Sequence, residues 1–194
     1  MAITGIIGLP GSGKTLEAVR LAKVASEQGI HVYANMPLNL PPEKFTLFRP
    51  EELGDIRDGF ILLDEAHLWL PARRSLQLPM SWLTLFSQTR KIDWLEFVWT
   101  AQHETRVDRM LRDVCAWMIH AQHYSLPFDF FTYTKYEPEK FRRPKCGMRE
   151  WRRRSASASA LYDTKGGIIE ATHVQDRGDP YANRRTVVQR GEDF

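Results

Sequence analysis

Ile3-Thr4-Gly5-Ile6-Ile7-Gly8-Leu9-Pro10-Gly11-Ser12-Gly13-Lys14-Thr15 is the stretch on which the fold turns. Ala2 to Gly8 is a short apolar, β-branched run ending in glycine, the pattern of a buried strand entering a turn. From Lys14 onward Leu16, Val19 and Leu21 stand among Ala18, Ala22 and Ala25 at helical spacing, until Gly29 closes the helix. Between strand and helix, Gly8, Gly11 and Gly13 let backbone amides turn inward around an anion, with Leu9, Pro10 and Ser12 completing the loop. Lys14 adds a charge that reaches terminal phosphates, Thr15 offers a hydroxyl to Mg2+, and the helix directs its positive end at the same point. A bare glycine-rich turn needs neither the strand before nor the helix after. The expected ligands are therefore ATP and Mg2+.

A second strand, Ile30 to Ala34, leads into a proline-rich segment, Pro37 to Pro50, read as a loop. Asp58-Gly59 then turns into a third strand that ends Phe60-Ile61-Leu62-Leu63-Asp64-Glu65. Two carboxylates at the end of an apolar strand suit a hydrated magnesium ion. Asp64 is the expected metal-side residue and Glu65 the residue that polarises the attacking water; a plain helix cap is the alternative. His67 is read as structural. A helix is expected from Met80 to Arg90, then a strand Leu95 to Ala101 followed by Gln102, whose amide can orient water or read the terminal phosphate. In ATPases of this class such a strand lies between the phosphate-loop strand and the acidic strand.

Further along, a short helix Glu104 to Arg112, a strand Val114 to Ala121 and an antiparallel addition Phe128 to Tyr136 are expected. Arg90, Arg106, Arg109 and Arg112 are candidates for reaching a neighbouring subunit's nucleotide, against the plainer reading of solvated helix faces. The fold class that follows is a three-layer α/β P-loop NTPase with a mainly parallel central sheet and an antiparallel addition. Residues 1–162 form the expected domain. Residues 163–194, following the small-residue run Ser155 to Ala160, are expected to be a polar tail or linker.

At 194 residues the chain fits one domain of ordinary size, and a net charge of +3 is too mild to argue globally for nucleic acid. Distribution matters more. Lys135 to Arg154 holds nine basic residues (Lys135, Lys140, Arg142, Arg143, Lys145, Arg149, Arg152, Arg153 and Arg154) against Glu137, Glu139 and Glu150. With Phe141 and Trp151 interleaved, this segment can follow the backbone of single-stranded DNA while stacking bases, lie on an anionic membrane surface, or be an exposed charged hairpin without a ligand. Cys115 and Cys146 have the spacing of neither a disulfide framework nor a zinc site and are read as reduced thiols. No signal peptide is visible in these residues, and the apolar stretch Phe60 to Leu70 is interrupted by Asp64, Glu65 and His67 and falls short of the roughly 20 residues of a membrane span.

The order of these pieces resembles the N-terminal ATPase domain of the zonular occludens toxin (Zot) family, filamentous-phage assembly proteins related to gene I protein. The resemblance runs from Ile3 to about Tyr162. It is carried by the phosphate loop, by Val32-Tyr33-Ala34-Asn35, Leu63-Asp64-Glu65-Ala66-His67, Ser87-Gln88-Thr89-Arg90 and Phe97-Val98-Trp99-Thr100-Ala101-Gln102, and by Ala160-Leu161-Tyr162-Asp163-Thr164. It implies a cytoplasmic domain at the host inner membrane that uses ATP to drive extrusion of phage carrying single-stranded DNA. It also implies an oligomeric ring, with phage assembly proteins and inner-membrane export machinery as partners. The family pattern includes a transmembrane helix that these residues lack, so the chain is expected to be a cytoplasmic fragment or to work without its own anchor. A nucleotide or small-molecule kinase, with the basic segment as its lid, and a non-hydrolysing nucleotide-binding scaffold are the competing readings; Glu65 beside Asp64 argues against the kinase.

Overall fold

A computed structural model of the chain describes residues 2–72, 79–88, 95–125, 130–137, 147–154 and 156–162. Arg90, Lys140, Phe141, Arg142, Arg143, Lys145, Cys146 and the expected tail 163–194 lie outside the described residues.

Among the described residues eight strands form one sheet: β1 (Ile3–Ile7), β2 (Val32–Ala34), β3 (Phe45–Leu47), β4 (Gly59–Leu63), β5 (Leu95–Ala101), β6 (Trp117–Tyr124), β7 (Phe130–Tyr136) and β8 (Met148–Arg153). Their spatial order is β3-β2-β4-β5-β1-β6-β7-β8. From β3 to β6 every pairing is parallel, and β7 and β8 are added antiparallel at one side. The strand before Gln102 does lie between the phosphate-loop strand and the acidic strand, with Ile7 opposite Ala101 and Leu63 opposite Trp99.

Because side chains alternate across a strand, the sheet sorts its apolar residues into two cores. On one face Ile6, Phe60, Leu62, Val98 and Ile119 pack against α1 (Lys14–Glu27). On the other, Ile3, Ile61, Leu63, Phe97 and Trp99 pack against α2 (Met80–Gln88) and α3 (Arg109–Asp113). Gly5 is needed in β1 because a side chain there would collide with Trp99 and Met118. Among the described residues no helix is long and apolar enough to cross a membrane.

Several expected boundaries shift. The segment Pro37 to Pro50 contains a 3-10 turn, Pro42–Lys44, and the edge strand β3, which pairs in parallel with β2. Prolines at 41, 42 and 50 flank β3 without entering it, as an edge strand tolerates. The single helix expected over 104–112 divides into a 3-10 turn, Glu104–Arg106, and α3, because Asp108 begins a new helix by accepting from Met110 N. Val114 consequently closes α3, and the strand expected from Val114, β6, starts only at Trp117. Part of the basic segment is the strand β8, and part of the small-residue run is a short helix, α4 (Ala156–Ser159), with Ala158 fully buried in the α1-side core.

Candidate functional site

The phosphate loop bends between β1 and α1 by placing Gly8, Gly11 and Gly13 at φ of 154°, 76° and 88°. Gly13 is fixed for a second reason. A side chain there would approach Phe131 to 2.6 Å and the Tyr133 hydroxyl to 2.9 Å, so β7 closes over the back of the loop. The Tyr133 hydroxyl donates to Gly13 O at 3.2 Å. Burial, with Glu17 beside it, pushes the Tyr133 phenol above its ordinary value, which keeps that donor proton in place. Lys14 is buried in the loop and its Nζ donates to Leu9 O at 3.1 Å. Ser12 is buried as well, and its hydroxyl has no partner among the described residues.

Adjacent strand ends bring the acidic residues to this loop. Thr15 Oγ1 donates to Asp64 Oδ1 at 3.1 Å, and Thr100 Oγ1, at the end of β5, donates to the same oxygen at 2.7 Å. Asn35, buried just beyond β2, clamps the Asp64 backbone from the other side: Asp64 N–H donates to Asn35 Oδ1 at 2.7 Å, and Asn35 Nδ2 donates to Asp64 O at 3.0 Å. Burial pushes the Asp64 carboxyl up from its ordinary range, opposed by the hydroxyls of Thr100 and Thr15 and by Lys14. A bound cation would reverse that balance and hold the carboxylate ionised.

Glu65 adopts a left-handed conformation, φ 49°, the one non-glycine residue with positive φ among those described. Its N–H donates to Thr100 Oγ1 at 3.0 Å, and its Oε2 lies 3.1 Å from His67 Nδ1. Strain of this kind costs about 1–2 kcal/mol and persists where the surroundings impose it. Here Thr100 and Asn35 hold the residues on which the turn pivots.

The zonular occludens toxin (Zot) family model matches residues 38–152, more than half of the chain. The chain belongs to the Zot family. No curated protein sequence matches it. Among solved structures, the N-terminal domain of zonular occludens toxin from Neisseria meningitidis superposes with a TM-score of 0.58 at 20% identity, over 84% of this chain and 98% of that one. The genome packaging NTPase B204 of Sulfolobus turreted icosahedral virus 2, in complex with AMPPCP, gives 0.56 at 9% identity over 79% of this chain and 98% of that one. B204, the DNA-packaging ATPase from Sulfolobus turreted icosahedral virus, gives 0.54 at 12% identity, over 79% and 98%. At these identities the likeness is one of fold, and the fold is that of the P-loop NTPases.

Within this Zot-family fold Gln102 follows β5 directly, beside the loop, and Arg106 Nη1 donates to its Oε1 at 2.9 Å. Arg109 is solvent-exposed and paired with Asp113 at 3.2 Å. Arg112 is half-buried, with its Nε enclosed and unpartnered among the described residues. Of the three, Arg106 is tied to a proposed site residue.

Arg152, expected among outward-facing basic residues, turns inward instead. It donates to both carboxylate oxygens of Glu17 at 3.0 and 3.2 Å, and to Glu150. Alternation along β8 is the reason, since Arg152 stands opposite Phe131 on the α1 side of the sheet. Sequence reasoning missed Asn35 and Thr100 as parts of the site. Their signal was a polar residue at or just past the C-terminal end of an apolar strand, the same signal that singled out Asp64.

Proposed function

We propose that this Zot-family chain is a magnesium-dependent ATPase that works as a homo-oligomer in phage assembly, driving extrusion of particles that carry single-stranded DNA. The observation that carries the ATPase reading is the convergence of Lys14, Thr15, Asp64 and Thr100 on adjoining strand ends, with two of the hydroxyls on one carboxylate oxygen. The residues fit the ligand. Three glycines shape an anion cup, a buried lysine lies inside it, the buried Ser12 hydroxyl is unpartnered, and the Thr15–Asp64 pair offers two oxygens to a hard cation. Mg2+, when bound, neutralises charge on the triphosphate oxygens.

Lys14 Nζ exchanges its bond to Leu9 O for the phosphate oxygens, and the amides of the loop hold the same anion. Glu65 orients a water toward the terminal phosphorus and accepts its proton. The new phosphorus–oxygen bond forms as the bond to the bridging oxygen breaks, giving ADP and inorganic phosphate. His67, 3.1 Å from Glu65, restricts where that carboxylate can point. Gln102 senses the terminal phosphate, and Arg106 holds its amide in orientation. The family membership supports the assembly role, as does the fold shared with a protein described as a DNA-packaging ATPase.

The test is virion release from cells in which Lys14→Ala or Glu65→Gln replaces the natural chain. Loss of release with normal accumulation of the protein supports the assembly reading. Normal release from both variants contradicts it.

A further inference from the structure

The antiparallel addition has two faces, and the site uses only one. Toward α1, Phe131 and Tyr133 back the phosphate loop and Arg152 binds Glu17. On the opposite face, Tyr124 of β6, Phe130 of β7 and Trp151 of β8 form a ladder across three adjacent strands. Tyr124 stacks on Phe130 with ring centroids 5.1 Å apart and planes 12° apart, and Phe130 meets Trp151 at 5.2 Å. Cross-strand ring pairs are ordinary sheet stabilisers when they are covered. These are open. Trp151 is 62% exposed and Tyr124 40%, and β8 is the last strand of the described sheet, so the ladder ends in an indole with a free outer face.

The charge around that indole is of one sign. Arg149 and Arg153 lie two residues either side of Trp151, on its face of β8 and about 7 Å along the strand. Neither has a carboxylate partner among the described residues, because Glu150 points to the other face and binds Arg152. We infer that the Tyr124–Phe130–Trp151 ladder, flanked by Arg149 and Arg153, is a docking face for single-stranded nucleic acid: an unpaired base continues the stack on Trp151 and the two arginines take the adjoining phosphates. A duplex hides its base faces and cannot extend the ladder. An anionic lipid surface would use the arginines and bury the outer indole, but its headgroups have no planar face to continue the stack and make no use of the cross-strand alignment of the rings. Phe141, which the sequence sets beside Trp151 in the basic segment, lies outside the described residues; the companions described come from β6 and β7. The inference deepens the assembly reading by giving the chain its own nucleic-acid site.

The test is fluorescence anisotropy of a labelled oligothymidylate, without nucleotide, against the full chain. A blunt duplex and anionic phosphatidylglycerol vesicles serve as competitors. The single strand is expected to bind at least tenfold more tightly than the duplex. Trp151→Ala weakens binding about tenfold or more, as does Tyr124→Ala to a smaller extent, while Trp151→Phe keeps most of it. Arg149→Ala with Arg153→Ala lowers the slope of log affinity against log salt by about 1.4. Lys14→Ala leaves oligonucleotide affinity unchanged, so loss of ATPase activity and loss of this site are separate results. Wild-type affinity in a folded Trp151→Ala protein, equal binding of the duplex, or Trp151-dependent binding to vesicles without binding to the oligonucleotide would overturn the inference.

Discussion

The Thr100 hydroxyl links the two consecutive acidic residues: it donates to Asp64 Oδ1 at 2.7 Å and accepts from Glu65 N–H at 3.0 Å. One side chain on β5 thus sets both the carboxylate beside the phosphate loop and the strained turn that aims Glu65.

Thr100→Val keeps the shape of this fully buried side chain and removes both bonds. The Glu65 amide loses its partner, which costs about 1–3 kcal/mol, and the aim of the Glu65 carboxylate loosens. ATP turnover is expected to fall at least tenfold while the affinity for a fluorescent ATP analogue changes little, and Thr100→Ser is expected to restore turnover. Parallel phosphate-release and nucleotide-binding titrations read the two effects apart.

Asn35 makes two hydrogen bonds to the Asp64 backbone from a buried position. Asn35→Ala leaves one donor and one acceptor without partners, for an expected loss of about 2–4 kcal/mol in urea denaturation. Asn35→Asp still accepts from Asp64 N–H, but it sets a buried carboxylate oxygen against Asp64 O and a second negative charge near the Asp64 carboxylate, so a loss no smaller than that of the alanine variant is expected.

His120 stands opposite Ile7 in the sheet, and burial, with His103 nearby, lowers its pKa below the ordinary 6.5. The unfolded chain therefore binds this proton more readily than the folded one. The stability this group contributes is present above pH 6.5 and is lost as pH falls through the lower folded value. Denaturation midpoints of His120→Gln, compared with those of the natural chain at each pH from about 7.5 to 5, should show a shallower acid decline. An unchanged slope would contradict the assignment.

Burial pushes the Cys115 thiol up to about 12, although Trp99 Nε1 donates to its sulfur at 3.2 Å. At neutral pH it is a protonated, enclosed thiol and a poor nucleophile. In a Cys146→Ser background, a disulfide reagent is expected to react with Cys115 only slowly in the native protein and completely in denaturant. Fast native labelling would show that the α3-side core opens readily.

What was legible in the sequence was local. Strand, glycine loop and helix read directly from Ile3 to Glu27, because each step is set by residues a few positions apart, and Leu63-Asp64-Glu65 stood out as an apolar strand ending in charge. Thr100 and Asn35 stand at strand ends in the sequence with nothing to mark their role, since that role exists only once β5 and β2 flank β4. β3 was hidden by its flanking prolines. Charge and interleaved aromatic residues mark the basic segment in the sequence, whereas strand alternation divides it, turning Arg152 toward Glu17 and Trp151 away. Tyr124 and Phe130 are far from Trp151 in sequence and meet it only through register.

The central claim is that this chain hydrolyses ATP with the groups gathered at the ends of β1, β4 and β5. Its most direct test is phosphate release from MgATP by the purified chain across a protein concentration series, beside Lys14→Ala and Glu65→Gln. Turnover that rises with concentration, is abolished by both substitutions, and leaves Glu65→Gln still able to bind ATP is the predicted result. Turnover in Lys14→Ala or Glu65→Gln equal to that of the natural chain would contradict the claim.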